Sequence, residues 1–305
     1  MTGSGRAGAS PASGTAVAGL GFAVGSFLIW ALFPIYFKQL EMVPALEVLA
    51  HRVVWATFFT AALLTFLRRW RAVAVGFASL RLIALLALSA LTISLNWGVF
   101  IWAVSNGRVL DSSLGYYINP LVSVLLGVVV LQERLSAGQW AAVALAGIGV
   151  GSEVLGRGEV PWIALTLACS FAAYGLIRKM ADVDPLSGLF IEILIALPVA
   201  LGYLMVVWGG GSDGLFVAAD ARTAILLVTA GAITTLPLLL FVGAARRIRL
   251  STLGLLQYIV PTGHFLIAVY VYGEPLSKAR VATFVCIWIA LLIYSLQSLR
   301  GRPPA

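Results

Sequence analysis

Charged residues are scarce in this sequence: 10% of its 305 residues are Asp, Glu, Lys or Arg, whereas 61% are hydrophobic. Soluble globular chains carry about 25% charged residues. The mean hydropathy of +1.02 therefore excludes an ordinary soluble enzyme, a disordered protein and a nucleic-acid binder. The net charge of +8 lies in short loops between apolar segments, where membrane topology explains it. The composition predicts a polytopic all-α membrane protein whose surroundings are a lipid bilayer.

Residues that hold metals, cofactors or nucleotides are also few. The two cysteines, Cys169 and Cys286, both fall in apolar runs, and the chain has only two histidines. This pattern gives neither a disulfide framework nor the spacing of metal ligands, so we expect no metal and no cofactor. No phosphate-cradling GxxxxGK[ST] loop occurs in the sequence, which argues against ATP as an energy source within this chain.

Ten apolar segments follow one another along the chain, and several approach the roughly 20 residues that a spanning helix needs. Loops of a few residues separate them, which leaves no room for a sizeable soluble domain. Residues 1–16 are expected to be a disordered tail, and residues 298–305 a second tail. The predicted segments cover 17–37, 45–66, 82–103, 110–131, 137–155, 162–177, 186–208, 223–245, 252–272 and 278–296.

Lys and Arg concentrate in one alternate set of the predicted loops, with clusters at 68–71 and 246–249. Loops rich in these residues stay on the cytoplasmic side of a membrane. Because both tails belong to this set, the sequence predicts that both termini are cytoplasmic.

An internal repeat relates the two halves of the chain at a constant offset of 141 residues. The aligned pairs include Lys38 with Lys179, Pro44 with Pro185, Tyr117 with Tyr258, Pro120 with Pro261, and Glu133 with Glu274. Each half holds five predicted helices, an odd number, so the second half enters the membrane from the opposite side. Inverted repeats of this kind are typical of secondary transporters, with the substrate site between the halves. We therefore predict two inverted five-helix repeats, residues 17–155 and 160–297.

Several stretches, in order along the chain, resemble the RarD branch of the EamA-type transporters. They are EVLAHRVVW (47–55), LNWGVFIWAV (95–104), SSLGYYINPL (112–121), LQERL (131–135), FAAYGLIRKM (171–180), TTLPLLLFVGAARRIRLSTLGLLQYIVPT (234–262) and YGEPLS (272–277). The resemblance runs from about residue 20 to residue 295. It implies the drug/metabolite transporter superfamily, ten helices, the cytoplasmic membrane and efflux of small molecules. Members carry a chloramphenicol-resistance label, but the resemblance supplies no natural substrate.

Among the ionisable residues inside predicted segments, where an unpaired charge costs several kcal/mol, four are candidates for a functional role. They are Glu47, His51 and Arg52 on the second segment and Glu192, the repeat counterpart of His51, on the seventh. One interpretation is a cluster that binds substrate charge or couples transport to protons; the other is a set of structural ion pairs. We expect Glu192 to offset Arg52 or His51 across a central cavity, or to exchange a proton.

A second group of candidates is polar or aromatic and lies near prolines or small polar residues of predicted helices. Its members are Asn96 and Trp97 on the third segment, Tyr117 and Asn119 on the fourth, and Gln257 and Tyr258 on the ninth. A proline in a spanning helix frees a carbonyl one turn earlier, which is tolerated where it lines a cavity. The functional interpretation is a substrate cavity between helices three, four, eight and nine, which the superfamily resemblance selects. The alternative is hydrogen bonding between helices.

Glu133 and Glu274 occupy matching positions after the fourth and ninth segments, each followed by Leu and Ser. We expect Ser136 and Ser277 to cap the next helix, with each acid close to the positive end of that helix.

The sequence predicts a secondary transporter that exports a small amphipathic metabolite or drug by alternating access. A proton gradient is the default energy source, and uniport or exchange stays open. A membrane-embedded enzyme acting on lipid-like substrates is one alternative, although no clustered catalytic set lies inside the segments. A passive channel is another. The expected partners are a small-molecule substrate and lipid, and a homodimer through the GxxxG pair Gly147 and Gly151 stays open.

Overall fold

The structure is a computed structural model that describes residues 11–132, 136–157, 159–209, 220–245, 247 and 256–300. Within these ranges the regular elements are helices, and no β-strand is present. They are α1 (Pro11–Ala31), α2 (Phe33–Lys38), α3 (Ala45–Phe66), α4 (Trp70–Phe77), α5 (Leu80–Ser105), α6 (Val109–Leu131), α7 (Ala137–Arg157), α8 (Trp162–Met180), α9 (Pro185–Gly209), α10 (Ala221–Ala245), α11 (Ile259–Leu266) and α12 (Lys278–Arg300). A π-helical turn, Ile267–Val271, continues α11. The predicted all-α class is confirmed.

Six helical stretches are long and apolar enough to cross a membrane. They are Val17–Lys38, Ala45–Phe66, Leu80–Ser105, Val109–Val130, Pro185–Val207 and Ala221–Phe241. Shorter apolar stretches, Trp140–Ser152, Trp162–Arg178 and Ile259–Val271, fall in the fifth, sixth and ninth predicted segments, and α12 covers the tenth. The chain is thus an all-α membrane protein. Ten spanning helices stay a prediction, because six described stretches have the length and hydropathy of a span and residues 252–255 of the ninth segment lie outside the described residues.

Large apolar side chains point away from the interior. Phe58, Phe66, Leu91, Val199 and Met205 are between 63% and 84% exposed. Exposed apolar surface on this scale marks a contact with a membrane or with another protein. These side chains are placed to contact the hydrocarbon of a bilayer.

Relative to the sequence prediction, the structure adds the helix α4 and shifts the start of α5 and the end of α8. α4 forms within the stretch predicted to be a loop, and α5 starts at Leu80 because Ser79 caps it, its Oγ accepting the N–H of Leu82 at 3.3 Å. α8 continues to Met180, past the predicted end at residue 177. This extension makes Arg178 part of a helix rather than part of a loop.

Helices of the two predicted repeats pack against one another throughout the fold. α6 packs on α8, α7 on α12, and both α1 and α3 pack on α10. Glycine permits the closest approaches: a Cβ at Gly231 on α10 would lie 2.6 Å from the backbone nitrogen of Ala56 on α3. Likewise, a Cβ at Gly115 on α6 would lie 2.8 Å from the carbonyl oxygen of Ala164 on α8. Small residues at such crossings let membrane helices approach closely.

Glu274 caps a different helix from the one that the sequence predicted. Its carboxylate accepts the backbone N–H groups of Val109 (2.7 Å) and Leu110 (2.8 Å) at the start of α6. The first N–H groups of a helix have no intrahelical acceptor and carry partial positive charge, so an acid is favoured there. Glu274 therefore caps α6, whereas Ser277 caps α12 as predicted, accepting the N–H of Arg280 at 3.2 Å. Glu133 lies outside the described residues.

Candidate functional site

Arg52 lies two turns into α3 and is 2% exposed. Its Nε donates a hydrogen bond to Oγ1 of Thr234 on α10, at 2.7 Å. The close approach of the two helices at Gly231, one turn before Thr234, makes this contact possible. The sequence did not single out Thr234. Threonines in helices commonly bond to a carbonyl one turn earlier, as Thr234 also does to the Ala230 carbonyl (2.7 Å), so a threonine in an apolar segment does not by itself indicate a site.

Three aromatic rings surround the Arg52 guanidinium, and we call Phe33, Phe37 and Trp97 the aromatic cage. The guanidinium carbon lies 4.0 Å from the ring centre of Trp97, 5.4 Å from that of Phe37 and 5.7 Å from that of Phe33. The face of an aromatic ring attracts a cation, by about 2 kcal/mol where water is excluded, and Trp does so best. Trp97 was a predicted site residue; the two phenylalanines of α2 were not.

The charge of Arg52 has no acidic partner among the residues that the structure describes. Its Nη1 is buried and finds no hydrogen-bond acceptor there. A guanidinium stays charged and has five N–H donors, of which Thr234 takes one. The phenols of Tyr36 and Tyr116 lie within electrostatic range of Arg52, but their described hydrogen bonds are made with other residues. The aromatic cage therefore holds a cation that its described surroundings do not neutralise.

Asn96 precedes Trp97 on α5 and joins three helices. Its Nδ2 donates to the Leu167 carbonyl (2.9 Å) and to Oγ of Ser170 (3.0 Å) on α8. Its Oδ1 accepts the hydroxyl of Tyr116 on α6 at 3.2 Å. A buried amide whose donors and acceptor are all used fixes the position of its neighbours. Asn96 thus holds α5 against α8, while Trp97 contacts Arg52.

Tyr117 and Asn119 lie on α6, and their described hydrogen bonds and ring contacts are made with residues outside the aromatic cage. The Tyr117 hydroxyl is 2.7 Å from Oγ1 of Thr262, and its ring packs edge-on against Phe284 of α12. Asn119 is 3% exposed, and the Ser123 hydroxyl lies 3.4 Å from its Oδ1. Tyr117 therefore belongs to the packing between α6, α11 and α12, whereas the described contact of Asn119 lies within α6.

Gln257 and Tyr258 immediately precede α11 and are half-buried. The Gln257 carbonyl, which Pro261 leaves without its helical donor, accepts the N–H of Val260 at 3.1 Å. The Tyr258 carbonyl accepts the Thr262 hydroxyl at 2.7 Å. Among the described contacts, none joins either residue to Arg52. The predicted cavity residues thus divide into two sets, one beside Arg52 and one along α6 and α11.

Glu192 pairs with Arg178 in the structure rather than with Arg52. Its Oε1 lies 3.4 Å from Nη1 of Arg178 and accepts the Ser89 hydroxyl at 2.6 Å. The two charged side chains are 1% and 16% exposed. Gly188, one turn before Glu192, leaves room for the guanidinium, since a Cβ there would lie 2.8 Å from its central carbon. The sequence analysis missed this pair because it assigned Arg178 to a loop.

Glu47 and His51 are both buried, at 1% and 2% exposed. They lie one turn apart on α3, and Glu47 is in its first turn, where the helix dipole favours an acid. All three ionisable residues predicted on the second segment are therefore inside the protein rather than in contact with lipid.

A narrow cavity separates α3, α5 and α9. Its walls include Val53 of α3, Ser94 and Trp97 of α5, and Glu192 of α9. One wall is thus the ring that stacks on Arg52, and another is the acid that pairs with Arg178. Arg52 and His51 are not among the residues that line this cavity, so a cavity with the charges of the second and seventh segments on opposite sides stays a prediction.

His264 of α11 lies between α1 and the aromatic residues near the cage. Its Nε2 is 3.0 Å from the Trp30 carbonyl, which can only accept, so this nitrogen carries the proton. Its ring stacks on Phe100 with a centroid distance of 5.3 Å. His264 therefore fastens α11 to α1 and α5.

Known proteins resemble this chain along nearly its whole length. The model of the EamA-like transporter family matches residues 17–152. An uncharacterized transporter of Vibrio cholerae is 48% identical over 93% of this chain and 93% of its own. Protein RarD of Escherichia coli K12 is 43% identical over 92% and 95%, respectively. The chloramphenicol-sensitive protein RarD of Pseudomonas aeruginosa is 35% identical over 90% and 92%.

The fold has also been seen in a crystal structure that covers 95% of this chain and 99% of its own. The TM-score is 0.59 at 17% sequence identity, so this similarity concerns the fold alone. The curated relatives, by contrast, share more than a third of their residues with this chain. On their identity and coverage, the chain belongs to the RarD-type branch of the EamA family of membrane transporters.

Proposed function

We propose that the protein is a secondary active exporter of small amphipathic organic molecules, located in the cytoplasmic membrane and working by alternating access. Family membership identifies a membrane transporter. One relative is named a chloramphenicol-sensitive protein, and chloramphenicol is a small amphipathic molecule. The proposal extends these facts to export, to a conformational cycle and to a substrate of that kind.

The observation that carries the proposal is that buried or partly buried polar contacts join one predicted repeat to the other. The pairs are Arg52 with Thr234, Ser89 with Glu192, Asn96 with Ser170, and Tyr117 with Thr262. Secondary transporters built from inverted repeats bind substrate between the repeats and move one against the other. Polar groups at that interface can give up their protein partners and bind a substrate during the cycle.

The helix packing supports the inverted repeats 17–155 and 160–297. Counterparts in the two repeats are α1 and α8, α3 and α9, α5 and α10, α6 and α11, and α7 and α12. If each helix is replaced by its counterpart, the contact of α1 with α10 becomes the contact of α8 with α5, and both contacts are present. The same replacement converts the contact of α6 with α8 into that of α11 with α1, and that of α3 with α10 into that of α9 with α5.

Contacts at the ends of the helices support alternate threading, in which both termini lie on the same side, and the basic loops indicate that this side is the cytoplasm. The contacts are Arg69 with Asp184, Gln39 with Arg222, and Val109 with Glu274. In the proposed topology the first pair lies on the cytoplasmic side and the other two on the opposite side. Each contact therefore joins residues that alternate threading puts on the same side of the membrane.

Proton coupling is proposed for the buried titratable residues Glu47, His51 and Glu192. A buried ionisable group in a membrane segment marks an ion or proton pathway by default. In proteoliposomes, an inward proton gradient should accelerate substrate efflux, and Glu192→Gln should remove that acceleration while exchange at equal pH persists. Efflux that ignores the proton gradient in the wild type would contradict the coupling.

The substrate class is tested by a thermal-shift screen of the purified protein against amino acids, nucleosides and amphenicols. A ligand that binds the folded state raises its apparent stability. A shift that Asn119→Ala or Gln257→Ala removes would place the substrate along α6 and α11. A shift that survives both changes and is lost in Trp97→Ala would place it at the aromatic cage. A wild-type protein that shows neither a shift nor exchange with any class would contradict the proposed function.

A further inference from the structure

Arg52 differs from the other strongly buried arginines in the described part of the chain. Arg178 has Glu192 as its counter-charge, and Arg280 has Asp111. Arg52 is buried at least as completely as these, yet its contacts are three aromatic rings and one hydroxyl. A charge inside a membrane segment that lacks a counter-charge is costly, and where it occurs it marks a functional site.

The bonds that Arg52 already makes leave one end of its guanidinium for a ligand. Nε is occupied by Thr234, and Nη1 has no acceptor among the described residues. The planar N–H fork of a guanidinium matches the two oxygens of a carboxylate. The rings of Phe33, Phe37 and Trp97 form an apolar wall beside it. The site combines a single positive charge with aromatic surface.

We infer that Arg52 binds a carboxylate of the transported molecule, and that the substrates are small organic acids with an apolar or aromatic body. The inference rests on the proposed transport function and names its substrate class. One positive charge balances one carboxylate, whereas a doubly charged phosphate ester would need a second unpaired cation. The aromatic cage receives the uncharged part of the molecule.

A purely structural role accounts less well for the charge. If Arg52 served only to join α3 to α10, a neutral donor would make the same bond to Thr234 without the cost of a buried charge. Nη1 is closely surrounded by protein atoms, so the carboxylate reaches it when the cavity beside Trp97 widens.

The test compares carboxylic acids with their uncharged amides on the full-length protein in detergent or nanodiscs. The probes are 3-phenylpropionate with 3-phenylpropionamide, and indole-3-acetate with indole-3-acetamide, and the readout is the dissociation constant from thermal shifts. The wild type should bind each acid at least about 10-fold more tightly than its amide, since a hydrogen bond to a charged group is worth that much. Acids that bind no more tightly than amides, or do not bind, overturn the inference.

Three variants identify Arg52 as the origin of the preference. Arg52→Gln should abolish the difference between acid and amide, and Arg52→Lys should keep only part of it, because an ammonium lacks the planar fork. Arg247→Gln is the matched control: Arg247 also contacts a ring, that of Phe22 at 5.1 Å, but is exposed, so its loss should leave the preference unchanged. A preference that survives Arg52→Gln overturns the inference.

The melting temperature without ligand separates binding from a structural role. Removing an uncompensated buried charge should leave the melting temperature of Arg52→Gln equal to or above that of the wild type. A marked decrease, together with an unchanged acid preference, would make Arg52 a structural residue and overturn the inference.

Exchange assays distinguish failure of this inference from failure of the proposed function. If neutral amphenicols or the amides exchange across proteoliposomes while the acids do not, the protein is still a transporter and only the carboxylate assignment is lost. If neither acids nor neutral compounds exchange, both are lost.

Discussion

Breaking the buried pair between Arg178 and Glu192 should destabilise the protein more than breaking any exposed pair. The charges lie 3.4 Å apart, and at an effective dielectric constant near 20 they attract each other by about 5 kcal/mol. Glu192→Gln keeps the shape and the bond to Ser89 but leaves Arg178 without its counter-charge. Losing one member of a buried pair costs about 3–5 kcal/mol. Because Arg178 is 16% exposed, we expect about 3 kcal/mol, or a melting temperature lower by roughly 6–12 °C.

The measurement is the melting temperature of Glu192→Gln, Arg178→Gln and the double variant in the same detergent. The double variant should recover much of the loss, because two neutral partners leave no buried charge. Arg69→Gln is the control: its 2.9 Å pair with Asp184 is partly exposed, so its loss should cost about 1 kcal/mol or less. Equal effects of Glu192→Gln and Arg69→Gln, or single effects that simply add in the double variant, would refute the reasoning.

Three further changes test the packing. Gly231→Ala brings a Cβ to 2.6 Å from a backbone atom of α3 and should lower the melting temperature by several degrees, whereas Gly202→Ala meets open space and should not; equal effects would contradict the close approach. Glu274→Gln removes the charge that caps α6 and should cost about 1 kcal/mol, so an unchanged denaturation midpoint would count against the cap. Asn96→Ala leaves buried groups of α8 without a partner and should cost about 1–3 kcal/mol; a neutral result would mean that other residues hold α5 to α8.

Much of the helical framework is readable from local sequence patterns. α3 has the bounds that were predicted for the second segment, because Pro44 precedes it and its apolar run is unbroken. Arg52 and Glu192 were identified as buried charges, since a charged residue within an apolar run is conspicuous. These predictions depend on composition within one segment, which the sequence displays directly.

The partners of these charges could not be read in the same way. Arg178 was assigned to a loop because basic residues at segment ends usually mark the cytoplasmic side, and only the extended α8 brings it to Glu192. Thr234 and Phe37 are ordinary residues of apolar segments, and their contacts with Arg52 in the folded chain give them their role. Contacts between repeats arise from helix packing, which no local pattern specifies.

The most direct test of alternating access is counterflow in proteoliposomes that contain the purified protein. Vesicles are loaded with an excess of an unlabelled substrate, and uptake of the labelled substrate from outside is followed over time. A carrier predicts saturable uptake that rises transiently above equilibrium only when the vesicles are loaded. Uptake that is linear in substrate concentration and indifferent to loading would identify a channel, and the proposed transport cycle would be wrong.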